Sequence, residues 1–139
     1  MKNHASPMEK IEELRKFGGT RRTRGLPDHL FQGFLEKDAP LRMAIDEAWT
    51  AHRELRAEWG AALGLDEARL CELLQAHFLN FYGPEATNPY VPLGARGPWL
   101  VTTHGAVLHD SGGYGMLGFG HAPPMTLDVM AKPWVQANI

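Results

Sequence analysis

The sequence predicts an α+β fold in which a helical N-terminal arm precedes a β-hairpin, a glycine-rich segment and a short helix. Two observations carry this prediction. Apolar residues recur at helical spacing through the first half of the 139-residue chain, and short apolar runs around a glycine turn follow position 98. A connector rich in Pro, Gly and Asn separates the two patterns, which places a domain boundary between them.

The first predicted helix spans about 6–17 and has signals at both ends. Ser6 and Glu9 have the spacing of a capping box, and Pro7 is tolerated in a first helical turn. Gly18 then supplies a helix end. A basic loop follows, and a short second helix is expected around residues 30–35.

Two longer helices, near 40–63 and 66–82, complete the predicted arm. Because few residues join them, we expect them to pack as a helical hairpin. His52 and His77 lie on their apolar faces, which favours hydrogen-bonded core histidines over catalytic bases. The apolar positions of the two helices are Leu41, Ile45, Ala48, Trp49, His52, Leu55 and Trp59, then Leu70, Leu73, Leu74, Phe78 and Phe81.

The predicted domain organisation has three parts. Residues 1–83 form the helical arm, 84–97 a linker, and 98–139 the incomplete start of a second domain. In the last part, residues 99–101 and 106–108 predict a β-hairpin that turns at Gly105. A final helix is expected from Met125 to about Ala131, where Pro123 and Pro124 introduce it and Pro133 closes it.

Charge is unevenly distributed along the chain. The net charge of −2 indicates no general attraction to nucleic acid or to anionic membrane. Residues 98–139 carry only three charged side chains, Asp110, Asp128 and Lys132, so we expect this tail to be covered by other protein. A single cysteine, Cys71, and the absence of an apolar signal segment or membrane span favour a cytoplasmic protein.

Five glycines fall within residues 112–121. Their spacing matches neither the dinucleotide fingerprint nor a phosphate-binding loop. Glycine is required where φ is positive or where the backbone passes close to a ligand. The run therefore indicates either a turn that packs strand against helix or a backbone that lines a pocket, with Tyr114 and Met116 as the side chains presented there.

The segment from Trp99 to Pro124 resembles the opening of the class III aminotransferases. The residues that carry the resemblance are Trp99-Leu100-Val101, Gly105, Asp110, Gly113-Tyr114-Gly115-Met116-Leu117-Gly118-Phe119-Gly120-His121 and Pro124. These are fold-type I enzymes that use pyridoxal phosphate to move an amino group from an amine or amino acid to a 2-oxo acid. The resemblance covers about residues 97–139 and implies a homodimer in the full-length form.

The same resemblance implies which site residues this chain supplies. Tyr114, Gly115 and Met116 match positions that line the substrate pocket, where the phenol of Tyr114 could bond a substrate carboxylate or amine. The family's catalytic lysine and main cofactor-binding residues lie downstream of the motif. We therefore expect no catalytic residue in this chain, and no activity from this N-terminal piece alone.

Two departures from the family pattern indicate a divergent subfamily. Thr102, Thr103 and His104 stand where an acidic residue is common, and the helical arm before the motif is longer than usual. A different class of function stays open: a non-catalytic helical interaction module that docks through its apolar C-terminal tail. A chain that ended naturally at Ile139 would favour this module or a degenerate remnant.

Three smaller groups of residues have side chains that could carry chemistry. His104, His109, Asp110 and His121 are metal-ligand types, yet they lack a recognised ligand spacing, so no metal is expected. The basic residues 21–24 have no interleaved aromatic residues and predict a solvated loop. Cys71 has no histidine in register and is expected to be a small buried hydrophobe.

Overall fold

The computed structural model describes residues 5–79, 81–111 and 118–136. Its elements confirm a mixed α+β fold in the predicted order. None of the helices in the described ranges is long and apolar enough to cross a membrane. The elements are α1 (Pro7–Phe17), α2 (Asp28–Leu35), α3 (Ala39–Leu63), α4 (Glu67–Gln75), a 3-10 turn (Pro84–Ala86), β1 (Pro92–Arg96), β2 (Trp99–Thr102), β3 (Val107–His109), α5 (Pro124–Met130) and α6 (Pro133–Gln136).

Helix α1 begins and ends as its sequence predicts. The Ser6 amide donates to Oε2 of Glu9 at 2.6 Å, and the Glu9 amide donates to Oγ of Ser6 at 3.3 Å. This reciprocal pair satisfies amides that a helix start leaves without partners. At the other end, the Gly18 amide donates to the carbonyl of Leu14 and closes the last turn.

Asp38 joins the start of α3 to the sheet. Its Oδ1 accepts a hydrogen bond from the Leu41 amide at 3.0 Å, which caps the helix. Its Oδ2 accepts from Nε1 of Trp99 at 2.8 Å, so the same carboxylate holds the first residue of β2. One side chain thus fixes the position of the sheet relative to the N-terminus of α3.

The three strands form one antiparallel sheet in the order β1-β2-β3. Strands β2 and β3 are the predicted hairpin, with Leu100 opposite Leu108 and a turn at Gly105, whose φ is +68°. Strand β1 is absent from the prediction, because it lies inside residues 84–97, which the sequence predicts as a linker. Its sequence, PLGAR, shows none of the apolar alternation that marks a strand.

Helices and strands share one hydrophobic core. Phe31 from α2, Ile45 from α3, and Trp99, Val101 and Val107 from the sheet are all buried in the same cluster. The most extensive contact is between α3 and β1. It requires Gly94, because a Cβ there would overlap the carbonyl oxygen of Ala44 and lie 2.7 Å from the Ala48 nitrogen.

Helix α4 differs from its prediction. It ends at Gln75 instead of reaching residue 82, and the extensive contacts of α3 are with α1, β1 and β2 and not with α4. Leu70 is buried, but Phe78 is 73% exposed. Among the described elements α4 makes no extensive contact with α3, so the predicted helical hairpin is wrong, and the apolar face of α4 is not buried beyond Leu70. His77 is exposed and is not a core histidine.

The end of the described chain also differs in detail. Helix α5 stops at Met130, close to the predicted end, but Pro133 begins a further short helix, α6. Proline suits a first helical turn, where its missing N–H costs no intrahelical hydrogen bond. Among the described elements, the extensive contacts of α5 are with α6 alone.

The contact at Gly94 generates a stability prediction. We expect Gly94→Ala to lower the free energy of unfolding by about 1–3 kcal/mol, because the added methyl group pushes β1 away from α3. Gly33→Ala is the matched control. Nothing lies within 4 Å of a Cβ at Gly33, inside α2, so this change should stabilise by about 0.5–1 kcal/mol. Urea unfolding of both variants measures the difference, and equal effects would contradict the close approach.

Candidate functional site

The predicted site residues Tyr114, Gly115 and Met116 lie outside the described residues. The structure instead describes the two flanks of this stretch, which we call the near flank (residues 107–111) and the far flank (residues 118–122). The contacts of these two flanks fix the positions of the described residues on either side of 112–117.

Both flanks are held by the backbone of the β1–β2 turn. The Asp110 amide donates to the carbonyl of Pro98 at 2.7 Å. Gly97 and His121 form an isolated antiparallel bridge, in which each amide donates to the other carbonyl, at 3.0 and 2.7 Å. Two adjacent residues of one turn therefore fix residues 110 and 121, which lie on opposite sides of the glycine-rich stretch.

A side-chain contact joins the two flanks directly. Nε2 of His121 lies 3.1 Å from Oδ2 of Asp110, and both side chains are partly exposed. The pair is a hydrogen bond when the imidazole is neutral and an ion pair when it is protonated. Because solvent reaches both groups, the pair adds little stability and mainly sets which way the His121 ring faces.

The far flank is also tied to α3. Arg96, the last residue of β1, forms an ion pair with Glu47 of α3 and donates from Nη1 to the carbonyl of Ala122 at 3.0 Å. Ala122 has a positive φ of +47°, an uncommon conformation for a residue with a Cβ. The Arg96 bond stabilises this turn between His121 and α5.

Glycine is required at one position of the far flank for two reasons. Gly120 has φ +70°, and a Cβ there would lie 2.8 Å from the backbone of Gly97. Gly118 also has a positive φ, +62°, but nothing lies within 4 Å of a Cβ at that position. Gly120 therefore permits the bridge between Gly97 and His121, whereas Gly118 only permits a left-handed turn.

The histidines of the hairpin take separate structural roles. His104 is buried in the β2–β3 turn, where Nδ1 lies 2.9 Å from Oγ1 of Thr103 and Nε2 lies 2.8 Å from the Leu65 carbonyl. His109 packs edge-on against Trp99. Within the part of the chain that the structure describes, no group of three or more metal-ligating side chains could hold an ion.

The basic loop at residues 21–24 is held at several points by the protein itself. Arg21 donates to the Gly105 carbonyl at 3.3 Å, and burial lowers its pKa. The amides of Arg22 and Thr23 both donate to Oε2 of Glu67, at 2.7 and 2.6 Å. Glu67 is completely buried. Sequence reasoning missed it because a glutamate in a first helical turn is ordinarily exposed.

His52 is buried as predicted, but it is not a hydrogen-bonded core histidine. Neither ring nitrogen has a hydrogen-bond partner among the described residues. The ring packs edge-on against Phe17, with centroids 4.9 Å apart. Burial lowers the pKa of His52, and the nearby charge of Arg56 lowers it further.

A shallow hollow of about 580 Å³ lies between α1 and the later turns of α3. Its three carboxylates already have partners: Glu9 bonds Ser6, Glu12 pairs with Arg15, and Glu13 accepts from Nε1 of Trp49 at 2.6 Å. We assign this hollow no ligand.

Enzymes hold pyridoxal phosphate through a Schiff base with a lysine, so the surroundings of the described lysines show whether these residues fit the cofactor. Lys10 bonds Asp46 at 2.7 Å and lies over the ring of Trp49. Lys16, Lys37 and Lys132 are exposed on helices or turns. In the described ranges there is thus no buried lysine in a pocket, and these residues do not form a site for the cofactor.

No relative of this chain was found among known proteins. The chain matches no protein-family model, no curated protein and no solved structure.

The two glycines of the far flank give a matched prediction. We expect Gly120→Ala to reduce the hydrogen-exchange protection of the Gly97 and His121 amides about tenfold more than Gly118→Ala does. Each variant adds a Cβ to a residue with a positive φ, which costs about 1–2 kcal/mol. Only in Gly120→Ala does the added Cβ also collide with the backbone of Gly97. Exchange measured by NMR at these two amides tests this. Equal protection in the two variants would show that the bridge does not depend on the close approach.

Proposed function

We propose that this chain is the N-terminal part of a class III, pyridoxal-phosphate-dependent aminotransferase. The full-length enzyme would move an amino group from an amine or amino acid to a 2-oxo acid. The observation that carries the proposal is the motif from Gly113 to His121, together with the way its flanks meet at the β1–β2 turn. Cytoplasmic location and a homodimer belong to the same proposal.

The order of elements around the motif supports this assignment. The resemblance expects an aromatic strand, a glycine turn, a second strand ended by an aspartate, and a glycine–histidine run before a helix. Strand β2 begins at Trp99, the turn uses Gly105, and Asp110 follows the last residue of β3. His121 then precedes α5, which begins at Pro124.

In this proposal the chain supplies one wall of a substrate pocket. Tyr114, Gly115 and Met116 form that wall, and the phenol of Tyr114 bonds a carboxylate or amine of the substrate. Pyridoxal phosphate, when bound, supplies the electron-withdrawing group that amino transfer needs. A lysine and a phosphate-binding loop from elsewhere in the enzyme would hold it.

A second candidate, a non-catalytic interaction module, has one specific observation in its favour. The end of the described chain presents large apolar side chains to solvent: Met125 is 72% and Trp134 65% exposed. Apolar surface of this kind marks a place where another protein segment packs. An aminotransferase would cover it with its own remaining domain, whereas a module would cover it with a separate partner.

The cofactor test separates the two candidates. We expect the 139-residue chain to show no absorption band of lysine-bound pyridoxal phosphate, and the protein translated from a reading frame that continues past Ile139 to show one. A continuing protein that binds no cofactor would contradict the aminotransferase proposal and favour the module.

The role of Tyr114 has its own test in the same continuing protein. Tyr114→Phe should raise KM for the amine donor about 3–10-fold, since one hydrogen bond is worth about 0.5–1.5 kcal/mol. The cofactor absorption should not change. Tyr82→Phe is the matched control because Tyr82 is exposed. An unchanged KM in Tyr114→Phe would remove Tyr114 from the pocket wall without affecting the cofactor claim.

A further inference from the structure

Two buried histidines flank the C-terminal turn of α1. The His52 ring packs edge-on against Phe17, the last residue of the helix. The His104 ring lies against Gly18, where an added Cβ would be 2.8 Å from its Cδ2. The turn that ends α1 is therefore in contact with an imidazole on each side, one from α3 and one from the β2–β3 turn.

The two histidines differ in how their nitrogens are satisfied. Both nitrogens of His104 have hydrogen-bond partners, Thr103 and the Leu65 carbonyl. Neither nitrogen of His52 has one within the described part of the chain, and its side chain is fully buried. A neutral imidazole is tolerated there, but a second proton would create a buried cation with no acceptor among the described residues.

The charged and titratable groups that face His52 come from three elements. They are Glu13 on α1, Arg56 on α3 and His104 on the β2–β3 turn. Arg56 stacks on the Phe17 ring at 4.4 Å and opposes a further positive charge. The negative charge of Glu13 favours a protonated His52, but the Glu13 carboxylate already accepts a hydrogen bond from Trp49 and pairs with Arg56.

We propose that His52 makes the docking of α1 on α3 sensitive to acid, so that uptake of a proton by its ring releases the C-terminal half of α1. This device is independent of the proposed aminotransferase function. On its inner side α1 buries Ile11 and Leu14 in the core, and Phe17 packs against His52. Two ion pairs also hold α1, one between Lys10 and Asp46 and one between Arg15 and Asp28.

The direction of the pH effect follows from burial. In the folded protein the pKa of His52 lies below its ordinary value of 6.5, because burial and Arg56 disfavour the charged ring. The neutral ring is fully compatible with docking above pH 6.5. Docking weakens as the pH falls below 6.5, because the released form then takes up a proton that the docked form cannot.

Hydrogen exchange of the full 139-residue chain at pH 7.5 and 5.5 tests this proposal. After correction for the intrinsic rate, protection of the α1 amides should fall about tenfold, as one proton linked to opening requires. Amides of β2 should change much less. Unchanged protection in α1, or an equal loss in α1 and β2, would overturn the proposal.

Two variants locate the effect at His52. His52→Leu should abolish the tenfold change in α1, whereas His77→Gln, a change at an exposed histidine, should retain it. A tenfold change that persists in His52→Leu overturns the proposal. Should His52→Leu fail to fold, an NMR titration of the wild-type His52 ring decides the same question. The proposal requires the folded ring to stay neutral well below pH 6.5, and titration near 6.5 would refute it.

Discussion

The contact between β1 and α3 at Gly94 determines where the sheet lies. The backbone of Gly94 approaches the Ala44 carbonyl and the Ala48 amide nitrogen so closely that any side chain would overlap them. Ala44 and Ala48 are themselves small and fully buried, which leaves room for a strand to lie directly on the helix. Such close approach gains dispersion contacts along both backbones and excludes water from between them.

The position of the candidate site follows from this contact. Once β1 lies on α3, its last residue, Arg96, reaches Glu47, and the next two residues form the turn into β2. That turn supplies the backbone groups that hold Asp110 and His121. The helical arm thus positions both flanks through β1 and the turn that follows it, and it also holds the near flank directly, since the Leu26 amide donates to the Val107 carbonyl at 2.8 Å.

Local signals predicted the parts of the fold that depend on local chemistry. The capping box of α1, the helix end at Gly18 and the turn at Gly105 could all be read from a few neighbouring residues. Strand β1 could not, because PLGAR is held in the sheet by Gly94 lying against a distant helix and not by its own pattern. The prediction makes helix α4 too long because its amphipathic spacing continues after its last buried residue, Leu70.

The site could be predicted only in outline. Motif spacing pointed to the region around the β2–β3 hairpin and the glycine run, but pairing between Gly97 and His121 depends on tertiary geometry. Hydrogen bonding of buried polar groups also depends on tertiary geometry. A sequence shows that His52 lies on an apolar helix face, yet whether its nitrogens find partners is decided by α1 and the β2–β3 turn.

We expect α3 and the sheet to open as one cooperative unit, because β1 joins them. Native-state hydrogen exchange across a series of low denaturant concentrations tests it most directly. We predict that the slowest-exchanging amides of α3 and of β2 open with the same free energy and the same denaturant dependence. Two distinct openings, with the sheet lost before α3, would contradict it.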